Sequence, residues 1–256
     1  MRNILKKTVG FLPEDVYKTL ARFYHRIFDR FPRISPLPNS PDTNLKNCYG
    51  WFQNAAHYLR ANRISGVYAE FGCHDANTFR YALNSLGNYR RFGGQPPCFY
   101  FYAFDSFEGM PEPRAIDRQK IWRKGMNRTG EERFRKLCRP DLHRIKTVKG
   151  FYDKVLPGFG WNPNEKIAVA YIDCDYYEST VPVLDFLKDK LIHGSILAFD
   201  DWNCYYGDPK RGERKAFSKF QALTKDEFCF EPFLPISFGG MSFIVLKKDL
   251  IGREVL

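Results

Sequence analysis

Two short acidic segments contain the residues with the clearest chemistry in this chain. Asp173 and Asp175 follow one short apolar run, and Asp200 and Asp201 follow the next. Each run is typical of a buried strand, and the carboxyl ends of neighbouring parallel strands meet in the crevice where open α/β sheets bind ligands. Carboxylate oxygens are the ligands that Mg²⁺ and Mn²⁺ prefer. We therefore predict a divalent-metal site formed by Asp173, Asp200 and Asp201.

The first acidic segment also supplies candidates for proton transfer. Asp175 lies two residues beyond Asp173 and is expected to point the same way, so these two are the predicted catalytic residues. His57, His143 and His193 are candidates by side-chain type alone. A simpler alternative is that the acids are solvated and only cap strand ends and begin helices.

Two further strand ends precede the acidic segments. Glu70 and Gly72 end an apolar run before a helix that begins near Asn77, and a glycine turn at a helix N-terminus lets a ligand approach backbone N–H groups. A single glycine is not the fingerprint of dinucleotide enzymes. Asp105 ends the next run, and an acid at that position commonly accepts hydrogen bonds from ribose hydroxyls. Alternatively, Asp105 only starts a turn.

The pattern along the chain predicts the elements that must position these residues. Strands and helices alternate from residue 66 onward, which indicates a parallel sheet covered on both faces, and the tail indicates a β-hairpin. Strands are predicted near 66–71, 98–104, 144–149, 167–172 and 195–199, helices near 77–86, 151–156, 178–191 and 210–224, and the hairpin at 228–236 and 241–246.

Four segments, taken in order, resemble one known family. They are Glu-Phe-Gly at 70–72, Phe-Asp-Ser-Phe-Glu-Gly-Met-Pro at 104–111, Ile-Asp-Cys-Asp-Tyr-Tyr-Glu-Ser-Thr at 172–180 and Phe-Asp-Asp-Trp at 199–202. This order resembles the macrocin O-methyltransferase family (TylF/MycF type). The resemblance implies a class I methyltransferase fold, which is a Rossmann-like seven-stranded sheet with an antiparallel last strand and helices on both faces. It also implies S-adenosylmethionine, Mg²⁺ or Mn²⁺, and a sugar hydroxyl as the methyl acceptor.

The resemblance also assigns roles to residues. Asp105 would contact the ribose of the cofactor, Gly72 would let its methionine portion approach the chain, and Gly150 would border the adenine. For Gly150, a strand-ending turn is an equal alternative. The complete set of cofactor residues that we predict is Glu70, Gly72, Asp105, Ser106 and Gly150.

The chain divides into two predicted parts. Residues 1–62 form an N-terminal helical extension, with a helix from Pro13 to about Phe31 and another from about Asn44 to Asn62, and this extension would serve as a lid or oligomer contact. Residues 63–256 form the methyltransferase domain, with a basic insert at 114–143.

The formal net charge of +11 bears on partners. Basic residues concentrate in the first helix and in the insert, so an anionic acceptor or an anionic membrane surface would be attracted. Nucleic acid is the least favoured of the candidate partners, because no nucleic-acid-binding motif accompanies the basic residues. The alternative is an ordinary solvated surface.

Cysteine usage and hydropathy bear on localisation. The seven cysteines form no CxxC pair, and several lie in predicted strands, so a reducing cytoplasm is expected. No run reaches the ~18 apolar residues of a membrane span, and the first residues lack the features of a signal peptide.

Two other functions use the same residues. A phenol or catechol O-methyltransferase would share the acids, but its flat acceptor favours an apolar slot, whereas the insert is basic and polar. A non-catalytic binding protein with this fold would bind S-adenosylmethionine without methyl transfer.

Overall fold

The computed structural model describes residues 43–87 and 95–253. The predicted helix between Pro13 and Phe31 lies outside that part of the chain. Among the described residues, no helix is both long enough and apolar enough to cross a membrane.

The described strands form one seven-stranded sheet in the order β3-β2-β1-β4-β5-β7-β6. The first five strands are parallel, and β7 runs antiparallel between β5 and β6. The predicted class I methyltransferase sheet with an antiparallel last strand is therefore confirmed. The strands are β1 Gly66–Phe71, β2 Cys98–Asp105, β3 Ile145–Lys149, β4 Ile167–Ile172, β5 Leu191–Phe199, β6 Phe228–Pro235 and β7 Met241–Lys247.

Six α-helices accompany the sheet in the described part of the chain. They are α1 Thr43–Ala61, α2 Asn77–Ser85, α3 Glu131–Leu137, α4 Tyr152–Val155, α5 Tyr177–Leu187 and α6 Gly212–Leu223. Helix α5 ends earlier than predicted, because a 3₁₀ turn at Lys188–Lys190 leads directly into β5. Helix α3, inside the insert, was not predicted, since only two of its seven residues are apolar.

Hydrophobic residues pack against both faces of the sheet. On one face, Phe52 of α1 stacks on Tyr171 of β4 with ring centroids 5.4 Å apart. On the other face, Phe217 of α6 packs against Phe199 of β5 at 4.9 Å. Helix α1 falls within the predicted N-terminal extension, yet its buried side chains belong to the same core as the strands. The role of residues 1–62 as a lid or oligomer contact stays a prediction.

The strand register brings the predicted site residues together. Phe71 of β1 pairs with Phe104 of β2 and with Ile172 of β4, and Ile172 pairs with Phe199 of β5. Asp105 itself pairs with the last residue of β3. The residues that follow therefore lie in one row at the carboxyl edge of the sheet, and they are Gly72, Asp105, Gly150, Asp173 and Asp200.

Candidate active site

A cavity of about 370 Å³ opens at this carboxyl edge. Its volume is within the range of small-molecule sites. The insert closes part of it with Arg114, Asp117 and Asn127. The predicted site residues that line it are Gly72, Asp105, Ser106, Gly150, Asp173 and Asp175.

Gly72 is required where β1 passes β4. Its φ is +93°, and a Cβ added there would lie 2.0 Å from the carbonyl oxygen of Asp173. A side chain would therefore push the two strand ends apart and close part of the cavity.

Asp105 holds the loops that surround it. Its carboxylate accepts backbone N–H groups of Cys73 at 2.7 Å, His74 at 3.3 Å and Phe107 at 2.6 Å. These bonds join the loop after β1 to the loop after β2. Each carboxylate oxygen can accept more than one hydrogen bond, so the predicted ribose contact stays a prediction that these bonds permit.

The other predicted cofactor residues differ in position. Glu70 is fully buried outside the cavity lining, where its carboxylate accepts hydrogen bonds from Tyr68 and, at 2.7 Å, from Thr78. Burial raises the pKa of Glu70 to about 8, although both hydrogen bonds lower it. Ser106 donates to the carbonyl oxygen of Gly109 at 2.8 Å. The cofactor roles of these residues stay predictions.

Three carboxylates converge beside the cavity. Asp173, Asp175 and Asp201 each present an oxygen, and these oxygens lie within 4.8 Å of one another. Burial raises the pKa of all three carboxyls, and the negative charges of neighbouring carboxylates raise those of Asp173 and Asp175 further. Without a cation, such a cluster retains protons.

The same cluster fits a hard divalent cation. One oxygen of Asp201, Oδ2, is buried and has no hydrogen-bond partner in the described structure, while the Cys204 thiol donates to its Oδ1 at 3.1 Å. Asp175 has a φ of +57°, a strained conformation of the kind found at ligand sites. Three oxygen ligands at this spacing suit Mg²⁺ or Mn²⁺.

Asp200 lies beside this group but outside it. Its Oδ1 accepts the Tyr171 hydroxyl at 2.5 Å, and that hydroxyl lies 3.6 Å from the thiol of Cys48 in α1. Burial raises the pKa of Asp200 to about 6. Its predicted role as a metal ligand stays a prediction.

Glu213 was missed by sequence reasoning. It lies in the first turn of α6, is 1% exposed, and accepts the backbone N–H of Cys174 at 3.1 Å and that of Asp201 at 3.0 Å. It thereby joins the loops after β4 and β5 that carry the carboxylate cluster. The sequence shows only an acid near a helix start, which has many simpler explanations.

Asp117 of the insert was missed for the same reason. Its buried carboxylate accepts the backbone N–H groups of Tyr177 at 2.8 Å and Glu178 at 3.2 Å, at the start of α5. Tyr205 donates to the Asp117 carbonyl oxygen at 3.2 Å. The insert is therefore tied to the acidic loop after β4.

The histidines named from the sequence do not line the cavity, whereas His74 does. His74 Nδ1 donates to the carbonyl oxygen of Asn127 at 2.9 Å. His193 Nδ1 accepts the backbone N–H of Lys247 at 3.1 Å.

Residues 51–226, more than half of the chain, match the family model described as macrocin-O-methyltransferase (TylF). The chain belongs to the macrocin O-methyltransferase family. The resemblance seen in the four sequence segments is thus confirmed, and the chain is a member of an O-methyltransferase enzyme family.

Individual relatives of this member of the macrocin O-methyltransferase family match it to different extents. The 8-demethyl-8-(2,3-dimethoxy-α-L-rhamnosyl)-tetracenomycin-C 4'-O-methyltransferase of Streptomyces olivaceus is 31% identical over 111 residues, 38% of this chain and 40% of the relative. The chain thus matches about two fifths of the length of that curated relative.

Two solved structures share the fold. The O-methyltransferase NovP has a TM-score of 0.61 at 19% identity, over 78% of this chain and 80% of NovP. The calicheamicin methyltransferase CalS11 has a TM-score of 0.63 at 22% identity, over 94% of this chain and 90% of CalS11.

Proposed function

We propose that this chain transfers a methyl group from S-adenosylmethionine to a hydroxyl of a sugar or of a glycosylated small molecule, and that it uses Mg²⁺ or Mn²⁺. The observation that carries the proposal is the group of Asp173, Asp175 and Asp201 beside a cavity that Gly72 and Asp105 also line.

The named relatives support a sugar as the acceptor. The tetracenomycin enzyme is named for a rhamnosyl substrate, and CalS11 is described as a TDP-rhamnose 3'-O-methyltransferase. The insert side of the cavity offers charged and polar groups, among them Glu112, Arg114 and Asn127. Such a lining suits a hydroxyl-rich acceptor better than a flat phenol, so a catechol-type acceptor is the second candidate.

Each predicted cofactor residue is assigned to one part of S-adenosylmethionine. When bound, S-adenosylmethionine would supply the methyl group: the acceptor oxygen would bond to the methyl carbon as the carbon–sulfur bond breaks, and S-adenosylhomocysteine would leave. We assign Asp105 to the ribose, with Ser106 beside it, Gly72 to the methionine portion and Gly150 to the adenine side. Glu70, behind this wall, supports the turn through Thr78 at the start of α2.

We assign the carboxylates to metal binding and to proton transfer. A divalent cation held by Asp173, Asp175 and Asp201 would orient the acceptor hydroxyl and lower its pKa. Asp173 and Asp175 line the cavity, whereas Asp201 does not, so either of those two can accept the hydroxyl proton.

We place this enzyme in the cytoplasm. All seven cysteines are free, and five of them are buried, which accords with a reducing compartment.

Metal removal and one substitution test the proposal. EDTA should abolish methyl transfer to sugar acceptors, Mg²⁺ should restore it, and Asp201→Asn should lower the restored rate by at least about 100-fold, because a ligand is lost. Binding of S-adenosylmethionine, measured by calorimetry, should change little. Asp226→Asn, an exposed acid before β6, is the control.

Full activity in EDTA would contradict the metal requirement. A wild type that binds S-adenosylmethionine but methylates no member of a sugar panel would leave only the non-catalytic alternative.

A further inference from the structure

The hydroxyl of Tyr176 is buried without a hydrogen-bond partner in the described structure. The residue is 1% exposed, lines the cavity and directly follows Asp175. A buried hydroxyl left unpaired costs about 1–3 kcal/mol, and such exceptions in a folded protein call for an explanation. A ligand that occupies the cavity would supply the missing partner.

Aromatic contacts fix the Tyr176 ring in place. Trp122 of the insert packs edge-on against it, with centroids 5.8 Å apart, and against Tyr205 at 5.4 Å. The guanidinium of Arg211 covers the Tyr205 ring at 4.4 Å. The insert and the loop before α6 therefore hold the ring, so its hydroxyl has a defined position before any ligand binds.

The surroundings of the hydroxyl select the chemistry of its partner. The acids that act on it are Asp117, Glu112 and the adjacent Asp175, which belongs to the metal group, while Arg114 and Lys154 line other parts of the cavity. Both Asp117 oxygens already accept backbone N–H groups. A neutral oxygen of a hydroxyl, ring or glycosidic bond can accept a hydrogen bond from the phenol without adding a negative charge beside Asp117 and Glu112.

The position of Tyr176 in the cavity indicates that its partner is the acceptor and not the cofactor. Glu112 and Asp117 lie on the insert side of the cavity. The residues predicted to contact the ribose and the adenine lie at the carboxyl ends of β2 and β3, on the other side of β1 from β4. A neutral oxygen that reaches Tyr176 next to Asp175 therefore belongs to the molecule being methylated.

We propose that Tyr176 donates a hydrogen bond to a neutral sugar oxygen adjacent to the methylated hydroxyl, and so selects which hydroxyl of the acceptor reacts. This inference rests on the proposed sugar O-methyltransferase function. It adds a specificity-determining residue on the acceptor side, with a partner defined by its chemistry.

Tyr176→Phe removes only the hydroxyl and tests the proposal. We expect kcat/KM for a sugar acceptor to fall roughly 10- to 100-fold, since the acceptor oxygen loses its donor. A second product methylated at a neighbouring hydroxyl should appear by NMR. The affinity for S-adenosylmethionine should stay close to wild type. The melting temperature of the ligand-free protein should not fall, because the variant no longer buries an unpaired hydroxyl.

The adjacent tyrosine provides a matched control. The Tyr177 hydroxyl accepts Lys219 Nζ at 2.5 Å on the α6 side, away from the cavity lining. Tyr177→Phe therefore removes the same group one residue away and should leave acceptor kinetics and the methylation position unchanged.

A deoxy acceptor gives a second measurement that does not depend on the variant folding. With wild type, kcat/KM for an acceptor that lacks the oxygen bound by Tyr176 should be lower by the factor that Tyr176→Phe causes with the complete acceptor. With Tyr176→Phe, the two acceptors should have the same kcat/KM.

Each outcome decides a separate point. Suppose that wild type methylates sugars. Unchanged kinetics in Tyr176→Phe, or equal wild-type rates with every deoxy acceptor, would then overturn the role of Tyr176 but leave the proposed function standing. Loss of S-adenosylmethionine affinity in Tyr176→Phe would mean that Tyr176 contacts the cofactor and not the acceptor, which also overturns the proposal. Wild type that methylates no sugar acceptor overturns the proposed function and this inference with it.

Discussion

At the scale of single residues, the site combines acids whose environments differ. The carboxylates of Asp173, Asp175 and Asp201 face one another, so a cation or protons must balance them. Asp105 is surrounded by backbone N–H donors instead. Glu70 lies behind both groups, fully buried between Tyr68 and Thr78.

Glu70 should make stability depend on pH. Its pKa rises from a usual 4.5 to about 8 on folding, mainly through burial, so between these values the folded protein holds a proton that the unfolded chain lacks. The unfolding free energy should therefore fall as pH rises from about 4.5 to about 8. Glu70→Gln, which stays neutral, should flatten this slope.

Urea unfolding at several pH values between about 5 and 8 measures that slope. Asp226→Asn, at an exposed surface acid, is the control and should keep the wild-type slope. Equal slopes in wild type and Glu70→Gln would mean that Glu70 is already ionised in the folded protein.

At the scale of elements, α6 connects the two acidic loops. Glu213 in its first turn accepts one backbone N–H from the loop after β4 and one from the loop after β5. A single buried side chain therefore holds the backbone beside Asp173 close to the backbone of Asp201. The helix positions the site from its own N-terminus.

Glu213→Gln should loosen this connection. A glutamine has one acceptor oxygen, so its NH₂ group would face one of the two backbone N–H groups, at a cost of roughly 1–3 kcal/mol in unfolding free energy. The Mg²⁺ concentration needed for half-maximal activity should rise as well. Denaturant unfolding and a Mg²⁺ titration measure the two effects.

Asp226→Asn again provides the surface control for this pair of measurements. An unchanged Mg²⁺ requirement in a folded Glu213→Gln protein would show that the loops keep their positions without the second hydrogen bond.

The sequence predicts the site well where strand ends define it. The runs before Gly72, Asp105 and Asp173 have the length and apolarity of buried strands, so their ends at one sheet edge could be foreseen. Asp173 and Asp201 were predicted as metal ligands and lie in the carboxylate group, whereas Asp175 was predicted only as a catalytic residue. The left-handed turn at Asp175 brings its oxygen beside those of Asp173 and Asp201. No residue pattern marks that turn.

Other contacts escape sequence reasoning because their partners are backbone groups far along the chain. Glu213 binds an N–H 39 residues away, and Asp117 binds one 60 residues away. Helix α3 was missed because five of its seven residues are charged, and the two apolar residues that pack on the core are too few to give a helical pattern.

At the scale of the whole molecule, opposite charges occupy different places. The acids that line the cavity outnumber its lysine and arginine residues, and they are Asp105, Glu112, Asp117, Asp153, Asp173, Asp175 and Glu178. Every lysine and arginine of the insert is exposed, and all but Arg114 lie outside the cavity lining; they are Arg114, Arg118, Lys120, Arg123, Lys124, Arg128, Arg133, Arg135, Lys136 and Arg139. The interior suits a neutral sugar near the metal, and the rim suits an anionic extension of the same acceptor.

This arrangement predicts a salt effect that depends on the acceptor. For a nucleoside diphosphate sugar, kcat/KM should fall several-fold, roughly fivefold or more, between low and high salt, because screening weakens attraction to the insert. A neutral glycoside should show little change.

Charge reversal locates the attraction on the molecule. Lys120→Glu with Lys124→Glu should reproduce the loss at low salt for the phosphorylated acceptor only. Lys225→Glu with Lys248→Glu makes the same change of net charge at the opposite edge of the sheet, before β6 and after β7, and should have a much smaller effect. Equal losses in both variants would assign the effect to net charge alone. A flat salt response with both acceptors, together with no binding to anionic vesicles, would leave the insert as an ordinary solvated surface.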